Sequence, residues 1–159
     1  MYRIVVLVEH GLTQDETDRL ATLHDEPVQS FWVLIPSDQD RSGFLAAVDD
    51  FLLADFRESW EDLRDESAQR QAAEHARASE ALRTSVAQLE AAGMSAGGEI
   101  VVGDPIPALR SAVARYDADE VIVLSRPRLV EEATRRDWAS RARHELKLPV
   151  LRLLAHADS

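Results

Sequence analysis

Arg126, Arg128, Arg135 and Arg136 crowd one short stretch of this chain, directly behind Ser125. Guanidinium groups hold phosphate or carboxylate through forked hydrogen bonds, so Ser125, Arg126 and Arg128 are candidate contacts for an anionic small molecule. The plainer reading is a solvated basic loop pairing with acids of the same or a partner chain, where each exposed pair contributes only ~0–1 kcal/mol. Glu9 and His10 are the other candidates. They end the first apolar run, and a carboxylate and an imidazole there can meet the ribose or base of a ligand, or else face water as turn residues.

Other chemistries lack their parts. A nucleophilic serine needs a base and a Gly-x-Ser-x-Gly elbow; Ser125 has Arg126 and Pro127 beside it and neither of those. His24, His75, His144 and His156 are scattered without metal-ligand spacing and read as surface residues. The pairs Asp49-Asp50 and Glu131-Glu132 are adjacent, so on helices they point in different directions and make poor acid/base dyads. No Walker loop and no Gly-x-Gly-x-x-Gly occurs. No catalytic residue and no metal site is therefore assigned. Trp32, Trp60 and Trp138 read as core or interface packing.

Charge narrows the partners. The 159 residues carry a net charge of −11 and a sequence pI near 4.8, so the average field repels nucleic acid and anionic membrane. The distribution is uneven. Asp38 to Glu66 holds ten acids and three bases, a net of −7, and Arg126 to Arg152 holds eight bases and four acids, a net of +4. There is no cysteine, which removes disulfide and thiolate chemistry. The opening residues are charged too soon for a signal peptide, and no apolar run approaches membrane-spanning length. A cytoplasmic protein is expected, with one domain covering 1–159.

The elements that must position these groups follow from the pattern. Tyr2 to Val8 and Val121 to Leu124 are apolar and largely β-branched, as strands buried on both faces are. Ser30 to Ile35 is a further strand, ended by Pro36-Ser37-Asp38. Glu99 to Val102 is another, with Gly97-Gly98 as punctuation before it. Val150 to Leu154 is the last, entered through Pro149. Thr13 with Glu16 forms a capping box for a short helix buried through Leu20 and Leu23. A long helical section runs from about 42 to 92. Phe44, Val48, Phe51 and Leu52 form its first stripe, and Ala72, Ser79, Leu82, Val86 and Leu89 its second. The polar passage from Glu58 to Arg70 fits either a break or a helix with one wet side. Gly93 ends it. Gly103-Asp104-Pro105 starts a helix with Asp104 as cap and Ile106, Leu109, Val113 and Tyr116 as its buried stripe. Trp138, Ala139, Ala142 and Leu146 line one face of the last helix, with Asp137 as a natural cap and Thr134 as a rival one turn earlier. Strands alternating with helices call for an α/β, doubly wound parallel sheet of five strands, whose ligands sit beyond the carboxyl ends of the strands.

In this order the chain resembles the universal stress protein family: an opening strand ending in an acid, a long helical section, Gly103-Asp104-Pro105 leading a helix, Asp119-Glu120-Val121-Ile122-Val123-Leu124-Ser125, and a final helix running into Pro149-Val150-Leu151. The resemblance implies a Rossmann-like, adenine nucleotide alpha hydrolase-like sheet of order 3-2-1-4-5, usually in a dimer. Family members that bind ATP carry Gly, two residues, Gly, nine residues, Gly, then Ser or Thr after the fourth strand. Laid on this chain without gaps, the matching positions are Ser125, Arg128, Trp138 and Ala139, so the glycines and the hydroxyl are replaced. Glu9 matches the acid placed near the adenosine. A carboxylate from Asp137 at the head of the last helix would also repel a phosphate there.

Two functions stay open. One is a non-catalytic regulatory or stress-response module without a cofactor, dimeric through the edge of Val150 to Leu154 and taking at most an anionic small molecule. The other is a nucleotide-binding or nucleotide-hydrolysing protein that holds ATP or AMP through Arg126 and Arg128.

Overall fold

The computed structural model describes residues 1–25, 29–37, 59–125 and 138–154. Its centre is β1 (Tyr2–Val8), whose residues Ile4 to Val8 are at most 1% exposed. From Ile4 onward no side of this strand meets water, which is why that run carries no polar alternation. β2 (Gln29–Ser37) and β4 (Glu120–Ser125) flank it, β3 (Ser95–Val102) lies outside β2, and β5 (Val150–Leu154) lies outside β4. Every pairing is parallel and the order is β3-β2-β1-β4-β5.

Helices cover both faces. α1 (Gln14–Thr22) and α2 (Ser59–Ala91) pack Leu20, Ala78, Ala81 and Leu89 on Ile4, Val6, Phe31, Val33 and Ile122. α3 (Pro105–Tyr116) and α4 (Trp138–Glu145) pack Ile106, Leu109, Ala112, Ala139 and Ala142 on Val5, Leu7, Leu34, Val121 and Val123. Alternate residues of each inner strand thus serve opposite cores. Fully burying one such aliphatic side chain contributes about 1.5–3 kcal/mol.

The caps agree with the local chemistry. Thr13 Oγ1 accepts from the Glu16 amide at 3.3 Å and the Glu16 carboxylate accepts from the Thr13 amide at 3.0 Å, closing the expected box. Asp104 caps α3 by accepting from the Ile106 amide at 3.2 Å, with Pro105 in the first turn. Gly93 takes φ +85° behind α2, where an L side chain is strained.

Three expectations need correction. β2 does not stop at Pro36: it runs to Ser37, with Pro36 level with Val101 of β3. The β1 partners of β2 end at Leu34, so Pro36 has a strand neighbour on one side only, where a missing N–H is tolerated. Gly97 and Gly98 do not punctuate; they lie inside β3. A Cβ on Gly97 would stand 2.6 Å from the Trp32 ring, and one on Gly98 would stand 2.4 Å from the Val33 carbonyl oxygen. The second stripe of the long helix is displaced. Ala78, Ala81, Ser85 and Leu89 are buried, Ser79, Leu82 and Val86 flank them half-buried, and Ala72 is exposed. The open question at 58–70 resolves from Ser59 onward into one unbroken helix of 33 residues. The stripe of Phe44, Val48, Phe51 and Leu52 lies outside the described residues.

Candidate functional site

The crevice forms where β1 and β4 leave the sheet side by side. Val8 is level with Leu124, so Glu9 and Ser125 follow at the same height on neighbouring strands. β2 and β4 stand on opposite sides of β1, and the helices that follow them, α2 and α4, pack on opposite faces; this is the switch point of a doubly wound sheet. The structure therefore brings Glu9, His10 and the backbone of Ser125 to one place. Arg126, Arg128, Arg135, Arg136 and Asp137 lie outside the described residues.

The floor beside β1 is tied down at three points, all on α2. The Glu9 carbonyl oxygen accepts from Arg77 Nη1 of α2 at 3.2 Å. The Leu12 amide donates to Ser85 Oγ at 3.0 Å, and that hydroxyl donates to the Ala81 carbonyl at 2.7 Å. Between them Gly11 lies so close to α2 that a Cβ would stand 3.3 Å from Thr84. A buried amide left without such an acceptor costs about 1–3 kcal/mol, which explains a serine in the apolar stripe of α2.

His10 neither projects freely into the crevice nor faces water. Its Nε2 lies 3.0 and 3.1 Å from the two carboxylate oxygens of Glu16, a residue only 3% exposed. A carboxylate here only accepts, so Nε2 carries the hydrogen. Glu16 thus serves the Thr13 amide and the imidazole at once. Nδ1 of His10 is buried and has no hydrogen-bond partner among the described residues. The role of Glu16 in orienting His10 was not readable from the sequence, where it appeared only as a capping residue.

The far wall comes from α3 and α4. Arg141 of α4 reaches Asp104 in a forked pair, Nη1 to Oδ1 at 3.1 Å and Nη2 to Oδ2 at 2.7 Å. The guanidinium holds the Asp104 carboxyl below the usual carboxylate range, partial burial opposes it, and the Ile106 amide adds to the lowering. α4 begins at Trp138, and Ala139 is 2% exposed within the α3/α4 core. Set against the family signature without gaps, Ala139 falls at the position of the hydroxyl, and its methyl group is packed in that core.

Two further groups lie at the opposite, amino end of the sheet. His24 is a half-buried residue rather than a freely exposed one: Nε2 meets the buried Glu120 carboxylate at 2.5 Å and the ring stands 4.7 Å from Tyr2. Trp32 stacks on Tyr116 with ring centroids 4.2 Å apart, and both line a cavity of about 220 Å³ with Arg3, Ser95 and Gly97. Trp32 packs as its sequence context predicts, and the cavity beside it leaves no mark in the sequence. Among the described residues no cluster of three metal-ligating side chains occurs, and no helix is long and apolar enough to cross a membrane.

No protein-family model matches the chain, and no curated protein matches it in sequence. Solved structures do match it in fold. A universal stress protein from Archaeoglobus fulgidus is 13% identical, with a TM-score of 0.54, over 96% of this chain and 93% of that one. A universal stress protein family protein from Arabidopsis thaliana, with AMP bound, is 15% identical, with a TM-score of 0.57, over 99% and 94%. A universal stress protein in complex with cAMP is 17% identical, with a TM-score of 0.53, over 99% and 98%. The fold of this chain is the universal stress protein fold, along nearly its whole length.

Proposed function

We propose that residues 1–159 act as one non-catalytic, universal-stress-protein-like regulatory or stress-response module in the cytoplasm, one that does not take ATP in the way the family signature does. The observation that carries this reading is Ala139. The signature needs a hydroxyl and bare backbone at the head of the last helix, and here the matched side chain is a methyl group committed to the core. Around it the floor of the crevice is closed by its own hydrogen bonds; Ser125, Arg126 and Arg128 would hold the charged group of an anionic small molecule, and Glu9 and His10 would meet its uncharged polar part.

Thermal shift with ATP, ADP, AMP and cyclic nucleotides tests the proposal. The expected result is no movement of the melting temperature with ATP at millimolar concentration, since a ligand stabilises only by RT ln(1 + [L]/Kd). The second reading, a nucleotide-binding or nucleotide-hydrolysing protein using Arg126 and Arg128, draws support from the AMP and cAMP held by two structures of the same fold. It predicts a shift of several degrees that R126A/R128A abolishes, and turnover if hydrolysis occurs.

The module is proposed to be a homodimer through the free edge of β5. An edge strand is a pairing template unless something covers it, and Leu154 on this edge is 51% exposed.

A further inference from the structure

At the amino end of the sheet, on the α3 side, three strands carry little side chain. Arg3 of β1, Ser30 of β2 and Ser95 of β3 are level with one another, and Val5, Trp32 and Gly97 form the next row on the same face. Ile4, Phe31 and Ala96, between the two rows, serve the α1/α2 core instead. Two serines and a glycine fill little of this face. Tyr116, the last residue of α3, stacks on Trp32 beside them, and the cavity of about 220 Å³ opens there.

Its lining divides into two kinds of group. The apolar part is the ring pair of Trp32 and Tyr116, with Ala118. The indole Nε1 is buried and has no hydrogen-bond partner among the described residues, so packing and not a polar anchor fixes the ring. The polar part is Ser30, Ser95 and Arg3, and Arg3 is the one charged residue among the described residues of the lining. Its Nη1 lies 3.2 Å from Asp117 Oδ2, but the Asp117 side chain is 95% exposed. A pair so open to water contributes only ~0–1 kcal/mol, so a ligand carboxylate can take the place of Asp117 at small cost. The other nearby acid, Asp119, is already turned to the Arg3 amide at 2.9 Å.

We infer that this cavity binds a small aromatic carboxylate. The ring packs against Trp32 and Tyr116, edge to face or offset, and the carboxylate sits in the guanidinium fork of Arg3 beside the Ser30 and Ser95 hydroxyls. The space is smaller than the ~300–1,000 Å³ of pockets for larger ligands, which suits one ring and a short charged group. The site lies at the opposite end of the sheet from the crevice after Leu124. It therefore holds or falls apart from the nucleotide reading and from the β5 dimer.

Sodium benzoate is the probe, titrated into the whole chain and read from the amide and indole N–H signals in heteronuclear NMR spectra, with W32F identifying the Trp32 indole. The expected result is a saturable shift of that indole signal with a dissociation constant of about 1 mM or tighter. R3Q changes an exposed residue and should weaken benzoate about tenfold or more, and benzamide, the uncharged analogue, should bind the parent as poorly. The indole signal of R3Q also reports that the variant is folded. No shift with benzoate in large excess overturns the site. Shifts confined to Glu9, His10 and their neighbours overturn it too, because the anion then sits in the crevice. Equal affinity of benzoate for R3Q and the parent, or of benzamide and benzoate for the parent, overturns the carboxylate class.

Discussion

Asp104 uses one carboxylate twice, for the first turn of α3 and for the Arg141 guanidinium of α4. The two uses can be separated. Asparagine caps a helix about as well as aspartate but carries no charge for Arg141. A carboxyl whose folded pKa is lowered contributes stability above its unfolded value, near 3.9, and loses it as pH falls through the folded value. The pair is half exposed, so D104N is expected to cost no more than ~0.5–1 kcal/mol at neutral pH. Urea melts should show that gap closing below about pH 4. Residues of this kind are readable in sequence because cap and capped amide lie within three positions of each other. The same holds for Thr13 with Glu16. His24 and Glu120 are 96 positions apart: His24, between α1 and β2, lies against Tyr2 of β1, and Glu120 is level with Ile4 of the same strand, so no local pattern could pair them. His10 is an intermediate case: Glu16 is six positions away and visible, but its buried carboxylate was assigned to the backbone alone.

At the scale of elements, the two glycines of β3 carry a different lesson. Glycine marks turns and close approaches alike, and sequence does not say which. Trp32 and Val33 of β2 decide it here, since Gly97 makes room for the indole ring and Gly98 for a carbonyl. A ring edge can shift and a backbone oxygen cannot. Gly98→Ala is therefore expected to destabilise the fold by about 1–3 kcal/mol, and by more than Gly97→Ala, measured by thermal or denaturant unfolding. Equal small losses at both positions would contradict this account of β3. The displaced stripe of α2 has a related cause. Its alanines and serine are small and weakly apolar, so the leucines and Val86 dominated the periodicity although Ala78, Ala81 and Ser85 face the sheet.

For the whole molecule, strand count, parallel pairing and the alternation with helices were legible because strands buried on both faces read as unbroken apolar runs. The strand order came from the family resemblance, since nothing in an apolar run says which neighbour it takes. The crevice was legible only as a location. Its floor depends on α2 lying against the turn that follows β1, a contact that spacing along the chain does not encode. If the β5 edges of two copies do pair, a lysine at Val150 buries charge against the α3/α4 core and the second copy's edge together. V150K should run as a monomer by light scattering under conditions where the parent is dimeric; an unchanged mass would place the interface elsewhere.

α2 lives in two environments. Its 33 residues rise about 50 Å. From Ala78 onward it is seated on the sheet, whereas side chains from Glu66 to Ala73 are exposed wherever they are described. The turns from Glu66 to Ala73 therefore draw little on apolar burial through the side chains described, and can unwind without opening either core. Amide hydrogens along this one rod should then exchange at graded speeds, fastest near Gln69 and slowest around Leu89, so that a single helix records where the body of the protein ends.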